Sequence, residues 1–472
     1  MLIGQTLPFV TACIDELDAA LKKLDSAGGV TPNQKDWLGF CLQGILVTNA
    51  VCWKRFERAS LGRRSHAVLS WRFRQKASFW ATVLQASIAV ILWRHGITSG
   101  LLVIDDSDHR RAKTTRRIYK APKLKDKTSG GTINGQNVVM LLLVTSGVTV
   151  PVGVEFYMPD PALTHWYKQE RQLKQRGVPK SQRPQKSVKN PAYPDKQEIA
   201  LTLLTQFRTA FPPLKIQSVL ADTLYGTATF LDKASALCGG VQVISQLRKN
   251  QPVRYKTQEW SVDTHFRKFP GVPQGIRIRG GQEQRVHVGS ARLYVAAQRC
   301  KRFVIALKYE GETDYRYLVA TDVTWRTLDI VQAYTFRWLV EVFFEDWKSY
   351  EGWGQLAKQP DEDGSRRSVI LSLLADHCLL LHPEQLARLE HKQPACTVGS
   401  LREAVKVESL MQCLWDVVSS EEPQEQFQRI ATKAKEVFTP ASSTKHMVGR
   451  NLGRLESTPS LEYRARIVLK TA

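Results

Sequence analysis

Residues 101–105, LLVID, are four apolar residues closed by an acid, and residues 216–222, IQSVLAD, repeat that pattern further along the chain. Each apolar run has the length and composition of a buried strand, and the terminal carboxylate would then stand at the edge of a sheet instead of in its core. If the two strands are neighbours, Asp105 and Asp222 sit side by side.

Outward from these two strands the pattern stays α/β. VVMLLLVTS (138–146) and VPVGVEFY (151–158) read as two strands joined by a short glycine turn. A helix is expected at 195–210, another at 226–238, and a strand at 241–246. Three strands in meander followed by alternating helix and strand describe a mixed sheet with helices on its faces. Residues 250–325 return to strand patterns: IRIRG, VHVGS, ARLYVAA, FVIAL and YRYLVAT. One long helix is expected at 327–350. The expected organisation is a helical segment at 1–97, a first part of the core at 98–248, a β-rich insertion at 249–325, a glutamate-bearing helix at 326–358, and a helical region with a basic tail at 359–472.

The 472 residues are 43% hydrophobic, enough for a sizeable core, and carry 67 Lys and Arg against 44 Asp and Glu, a net charge of +23. Such an excess calls for a polyanionic partner, and nucleic acid is the commonest one. The eight cysteines form no CxxC pair, which argues against a zinc framework or a disulfide scaffold and fits a reducing cytosol. His377 beside Cys378 lies in an apolar helical run and reads as a buried pair. The apolar stretch 138–154 divides into two strands, so no membrane role is expected.

The positive charge is concentrated in three places. Residues 53–76 hold eight Lys or Arg and one acid, with Trp53, Phe56, Trp71 and Phe73 interleaved, an arrangement suited to phosphate binding that makes the helical segment 1–97 an expected DNA-binding region. Residues 109–127 hold nine basic residues and one acid, and residues 168–196 hold nine basic residues, two acids and four prolines. The last two read as loops next to the acid-bearing strand ends, where DNA backbone would be held. Asp108 and His109 are placed in the first of these loops, without a metal role.

On the helix at 327–350, Tyr334, Arg337, Glu341, Glu345 and Lys348 fall within about 100° of one another, opposite Phe336, Leu339, Val340, Phe343, Phe344 and Trp347. The apolar face would rest on the sheet and bring Glu341 to the edge that carries Asp105 and Asp222. Three carboxylates so close repel one another strongly, and hard divalent cations relieve that repulsion. Two Mg²⁺ ions, with Mn²⁺ able to substitute, could activate a water or a 3′-hydroxyl on one side and stabilise the leaving oxygen on the other.

Residues 334–348, YTFRWLVEVFFEDWK, resemble the Tyr-x2-Arg-x3-Glu-x6-Lys signature of bacterial insertion-sequence transposases of the insertion-sequence-four group, here as Tyr334, Arg337, Glu341 and Lys348. The strands around Asp105 and Asp222 resemble the other two acid motifs of that family, and the likeness runs over roughly residues 100–355. It implies an RNase H-like mixed sheet with a β-rich insertion and a DDE active site of Asp105, Asp222 and Glu341 that holds the metal. It selects Glu341 over Glu345 and Asp346, and Asp105 over Asp106. The implied activity is cut-and-paste DNA transposition on double-stranded transposon ends and target, by a homodimer or larger assembly in the bacterial cytoplasm, associated with the nucleoid. Tyr334, Arg337 and Lys348 would position the backbone, with Arg110, Arg111, Lys113, Arg116 and Arg117 in the neighbouring basic loop. A hairpin intermediate is a further implication, with Tyr317 of the strand YRYLVAT as the ring expected to stack on an unpaired base, and Tyr315 or Trp325 as substitutes. Two rival readings remain at this point: a structure-selective nuclease of the same fold, and a DNA-binding protein without catalysis.

Overall fold

The computed structural model describes residues 3–25, 28–111, 118–125, 130–278, 281–355 and 359–438. The basic residues Lys113, Arg116 and Arg117 and the basic tail from 440 lie outside the described residues.

The chain opens with α1 (Pro8–Leu24), α2 (Pro32–Thr48), α3 (Trp53–Ala59), α4 (His66–Arg74) and α5 (Val83–Arg94). α2 begins where Thr31 and Gln34 cap each other's backbone and Pro32 occupies the first turn; it stops at Asn49, whose φ of 52° is left-handed. Every residue of α2 from Trp37 to Val47 is buried, so the helix runs through the middle of the bundle. The helical segment expected at 1–97 thus holds these five helices. The aromatic residues of 53–76 are mostly core: Trp53, Phe56 and Phe73 are buried, with Trp37 and Trp80 against them, while Trp71 is 59% exposed.

Next come β1 (Ser99–Arg110), β2 (Lys123–Lys125), β3 (Thr132–Val144), β4 (Thr149–Tyr157), α6 (Pro161–Gln175), α7 (Lys196–Ala210), β5 (Lys215–Ala221), α8 (Ala228–Leu237) and β6 (Gln242–Leu247). β7 (Pro252–Tyr255), β8 (Gln258–Ser261), α9 (Val262–Lys268), β9 (Val272–Arg277), β10 (Glu283–Val295), β11 (Cys300–Tyr309) and β12 (Arg316–Ala320) follow. All twelve strands join one sheet, ordered β2-β3-β1-β5-β6-β12-β11-β10-β7-β8, with β4 on β3 and β9 on β10. β1, β5 and β6 run parallel, and β12 adds to β6 antiparallel. The strands between Asp222 and Glu341 therefore continue the same sheet that carries the aspartates. Two differences from the expected strands stand out. VHVGS and ARLYVAA form one strand, β10, because Gly289 and Ser290 stay in register with Ala306 and Ile305 of β11 instead of turning. The basic stretch 168–196 contains most of a helix, α6, in which no residue is buried.

The sheet is covered on both faces. Leu101 and Val103 face a cluster with Ile330, Val340, Phe343 and Trp347, whereas Leu102 and Ile104 face the cluster that includes α7 and α8. The remaining helices are α10 (Thr327–Thr335), α11 (Leu339–Tyr350), α12 (Asp361–Leu380), α13 (Pro383–Glu390), α14 (Val398–Val418) and α15 (Pro423–Val437). The one long helix expected at 327–350 is thus two helices, separated by a 3-10 turn at Phe336–Trp338. The described residues up to Pro423 form one compact unit and those from Gln424 belong to another; no residue of α15 is buried.

Candidate active site

Asp105 does not end its strand. β1 continues to Arg110, paired with β3 through Asp105↔Met140 and as far as Arg110↔Gly135. What ends after Ile104↔Ala221 is the parallel pairing with β5. Asp105 and Asp222 are therefore the first residues beyond the point where two adjacent parallel strands part. Asp108 and His109, expected in a loop, belong to β1 for the same reason: β3 is long enough to hold the strand on its other side.

Alternation along β1 decides what each acid faces. Asp105 follows Leu101 and Val103 towards the α11 side, and it is 8% exposed. Asp222 caps the 3-10 turn Thr223–Tyr225, its Oδ1 accepting from Leu224 N at 2.8 Å, and Ser245 Oγ donates to its backbone carbonyl at 2.5 Å. Burial pushes Asp105 up to about 7, and the charge of Asp222 adds to the rise; Asp222 is itself raised, first by burial.

Glu341 reaches this pair through Arg337. The 3-10 turn puts Arg337 where its Nη1 lies 2.9 Å from Asp105 Oδ2 and 3.7 Å from Glu341 Oε1. A short 3-10 stretch inside a helical run is a frequent mark of a functional hinge. Glu345 and Asp346 border a different groove, with Leu339 and Leu379. The side chain of Glu341 is 45% exposed, as a residue open to a substrate would be.

The other face of β1 carries a second set of charges. Asp106 Oδ2 accepts from Lys196 Nζ at 2.6 Å and from Asn137 Nδ2 at 2.8 Å, and Asn137 Nδ2 also donates to Asp108 at 2.6 Å. Sequence reading missed Lys196 and Asn137, which have no motif of their own. Tyr225 was missed too: it is fully buried and its hydroxyl has no hydrogen-bond partner among the described residues, while burial and then Asp106, Asp105 and Asp222 push its pKa up. The string VLADTLYG places it three residues after Asp222, the one available signal.

Several expected DNA contacts prove to be internal. Arg111 is 7% exposed, donates from Nε to Gln136 Oε1 at 2.8 Å and lies over the Trp353 ring; burial lowers its pKa to about 9. Tyr334 is also buried, its hydroxyl donating to Ala221 O at 3.3 Å, so it braces the end of β5. Tyr317 is 2% exposed; it donates to Asp263 Oδ1 at 2.8 Å and stacks on Phe266. All three are drawn inside by a flat apolar surface that finds a partner in the core. Arg110 is exposed at the end of β1, and Lys348 is half-buried, near enough for its charge to depress His109. Trp325 is half-buried, Tyr315 packs at the edge of the core, and Trp338, next to Arg337, is 55% exposed.

Asp105, Asp222 and Glu341 offer oxygen donors alone, the set that Mg²⁺ prefers. Burial and then the charge of Asp222 raise the carboxyl of Asp105, and a hard cation would relieve both costs, so the donor chemistry fits one. Arg337 supplies the positive charge in this arrangement, and among the described residues no three His, Cys, Asp or Glu side chains converge as metal ligands.

Residues 32–301 match the family model described as DDE superfamily endonuclease. No curated protein matches the chain. Among solved structures, the chain is similar to the piggyBac transposase in its synaptic complex with hairpin DNA, at 9% identity and a TM-score of 0.43, over 96% of this chain and 89% of that one. It is also similar to the NurA nuclease from Sulfolobus solfataricus, at 8% identity and a TM-score of 0.20, over 50% of this chain and 72% of that one.

Proposed function

The chain belongs to the DDE superfamily endonucleases, and from that premise we propose that it is a DNA transposase of the insertion-sequence-four group, with Asp105, Asp222 and Glu341 as its catalytic acids. One observation carries the assignment: Asp105 and Asp222 stand together where β1 and β5 part, and Arg337 joins Asp105 to Glu341.

Asp105, Asp222 and Glu341 are the residues that would hold Mg²⁺, two ions per site, which when bound supplies Lewis-acid neutralisation of the phosphoryl charge and a nucleophile at neutral pH. The chain's own side chains do the rest. The parting of β1 from β5 fixes two carboxylates on rigid strands, and the helix α11 presents the third from the side. Half-buried Arg337 keeps a positive charge beside the acids. Lys196 and Asn137 hold Asp106 on the other face of β1 and offset part of its charge. Arg110 at the end of β1 and Lys348 on α11, close to the neighbouring His109, offer cations to the DNA backbone beyond the acids. The steps are hydrolysis at each transposon end and attack of the freed 3′-hydroxyl on target DNA, both phosphoryl transfers that depend on positioning and charge.

A hairpin at the transposon end is part of this reading, with the stacking ring supplied by a residue other than Tyr317; Trp338 is exposed beside Arg337 and takes that place. Paired ends require two active sites, hence a homodimer or larger assembly. α14 supports this, since Val407, Met411, Leu414, Trp415 and Val418 on it are all at least 50% exposed. None of the described helices is long and apolar enough to cross a membrane, and the proposed setting is the bacterial nucleoid.

The test is cleavage of a supercoiled plasmid carrying the element's ends in Mg²⁺. Asp105→Asn, Asp222→Asn and Glu341→Gln should each slow cleavage by at least about 100-fold, roughly 2.7 kcal/mol of transition-state stabilisation, with binding to the ends retained. Near-normal cleavage by any one of them removes that residue from the site.

A further inference from the structure

Residues 222–226 lead from the end of β5 to α8, and three carbonyls in this short turn are each taken by a side chain from a different part of the fold. Ser245 Oγ on β6 donates to Asp222 O at 2.5 Å, Gln197 Nε2 on α7 to Leu224 O at 2.7 Å, and Gln298 Nε2 to Gly226 O at 2.8 Å. Thr223 Oγ1 adds a bond to Gln246 Oε1 at 3.0 Å. Gly226 lies so close to β6 that a Cβ there would stand 2.5 Å from Gln246 O.

Gln298 comes from furthest away, 72 residues along the chain, in the 3-10 turn Ala296–Gln298 that joins β10 to β11. It is 6% exposed, and its amide can point only one way. Arg302 Nε, a donor with no acceptor capacity, holds Gln298 Oε1 at 2.8 Å and so turns Nε2 towards Gly226. Arg302 is itself buried and tied to Asp232 on α8 at 2.5 Å. The chain leaves this turn through Arg299 at a φ of 53°, a left-handed conformation that a residue with a Cβ avoids unless its surroundings impose it.

Where the turn goes, the carboxylate follows. Asp222 Oδ1 accepts from Leu224 N at 2.8 Å, within the same turn, so the pose of the turn sets the pose of the acid. A misplacement of about 1 Å at a reacting centre can cost on the order of 100-fold in rate.

We propose that Gln298 is a positioning residue for Asp222, kept in orientation by Arg302. The strands between Asp222 and Glu341 then serve the candidate active site although none of its acids comes from them. The inference rests on the assignment of Asp222 as a catalytic acid.

The experiment compares Gln298→Glu and Gln298→Met in the full chain. Both keep the length of the side chain, Gln298→Glu also keeps an acceptor for Arg302, and each lacks the N–H that reaches Gly226. Hydrogen exchange read by mass spectrometry on peptides spanning residues 222–226 reports on the turn independently of catalysis. Exchange there is expected to quicken by about tenfold in both variants, with that of β1 and α11 unchanged. In the plasmid assay the cleavage rate at saturating protein should fall by roughly tenfold or more. Affinity for the ends and the Tm of Gln298→Glu should stay close to those of the unaltered chain. Unchanged exchange overturns the proposal, as does cleavage that falls only in step with the loss of folded protein. Quickened exchange with normal cleavage overturns it too, and Asp222→Asn in the same assay then separates the causes. If that variant has lost cleavage, Gln298 does not position the acid; if it cleaves normally, the assignment of Asp222 itself has failed.

Discussion

Arg337 Nη1 stands 2.9 Å from Asp105 Oδ2, and both side chains are more than four-fifths buried, at 16% and 11% exposure. A buried pair of this kind costs desolvation to form, and removing one partner leaves the other charged without compensation. Arg337→Met should lower the unfolding free energy by roughly 1–3 kcal/mol at pH 8, where Asp105 is ionised. Adding Asp105→Asn should restore most of the loss. Denaturant unfolding of the two single variants and the double variant measures the coupling; additive effects would mean that the two groups do not sustain each other.

On α6, Lys168, Arg171 and Lys174 recur every third residue of a helix that buries nothing, and none of the three is in an ion pair among the described residues. The helix is held from within by Trp166 Nε1 donating to Pro184 O and by the Arg183–Glu170 pair, each at 2.8–2.9 Å. Replacing the three cations by Gln should leave folding intact and make the dependence of log affinity for duplex DNA on log salt shallower, by up to about 0.9 for each phosphate that is no longer neutralised. An unchanged slope would make this face a solvated one.

Tyr317 bears on the fold before it bears on DNA. Its hydroxyl holds Asp263 and its ring lies against Phe266. Tyr317→Phe should cost about 1 kcal/mol, the net worth of one hydrogen bond, and Tyr317→Ala about 3–5 kcal/mol through the cavity. Neither should change the proportion of hairpin to open ends on a denaturing gel. A selective loss of hairpin ends at normal stability would return Tyr317 to the cleft.

Asp376 and Glu351 tie stability to pH. Burial, with a further push from Asp346, raises Asp376 to about 7, and burial with the charge of Asp376 carries Glu351 well above its ordinary value. The folded state thus keeps protons that the unfolded chain releases above about pH 4. Stability from this source is greatest at or below that pH and is lost as pH rises through 7. Thermal unfolding should show Tm falling from pH 5 to 8 in the unaltered chain. Asp376→Asn should flatten that fall and be the more stable of the two at pH 8, by roughly 1 kcal/mol or more. A parallel fall in both proteins would mean that the pair does not hold the proton.

The acid-bearing strands, α7 and β6 were legible because periodicity and chain punctuation are local signals. LLVID and IQSVLAD announce buried strands, and α7 lies within a residue or so of its expected bounds because Asp195 and Glu198 form a capping box at its start. The extension of β1 to Arg110 was not legible, since polar residues stay in a strand there only because β3 pairs with them. Nor was the inward turn of Arg111, which needs Trp353 from far along the chain. The break at Phe336–Trp338 hides in a sequence that keeps helical spacing throughout, and it is this break that sets Arg337 between Asp105 and Glu341. The stretch 168–196 was read as loop from its prolines, yet they fall after Gln175, and the helix before them is closed at its start by Asp160. The assignments of Lys113, Arg116 and Arg117 fall outside the described residues.

The addition of β12 to β6 has a consequence for how the molecule is made. β1 must await its pairing with β5, more than a hundred residues later in synthesis, and β6 stays an open edge until residues 316–320 have left the ribosome. Such distant pairings close slowly and leave an edge open to other chains in the meantime. The acids also come together late, because Glu341 is synthesised after every strand. A truncated or nascent chain that ends before the 3-10 turn at Phe336 therefore carries Asp105 and Asp222 but neither Arg337 nor Glu341, and the site is left without its third acid and its cation.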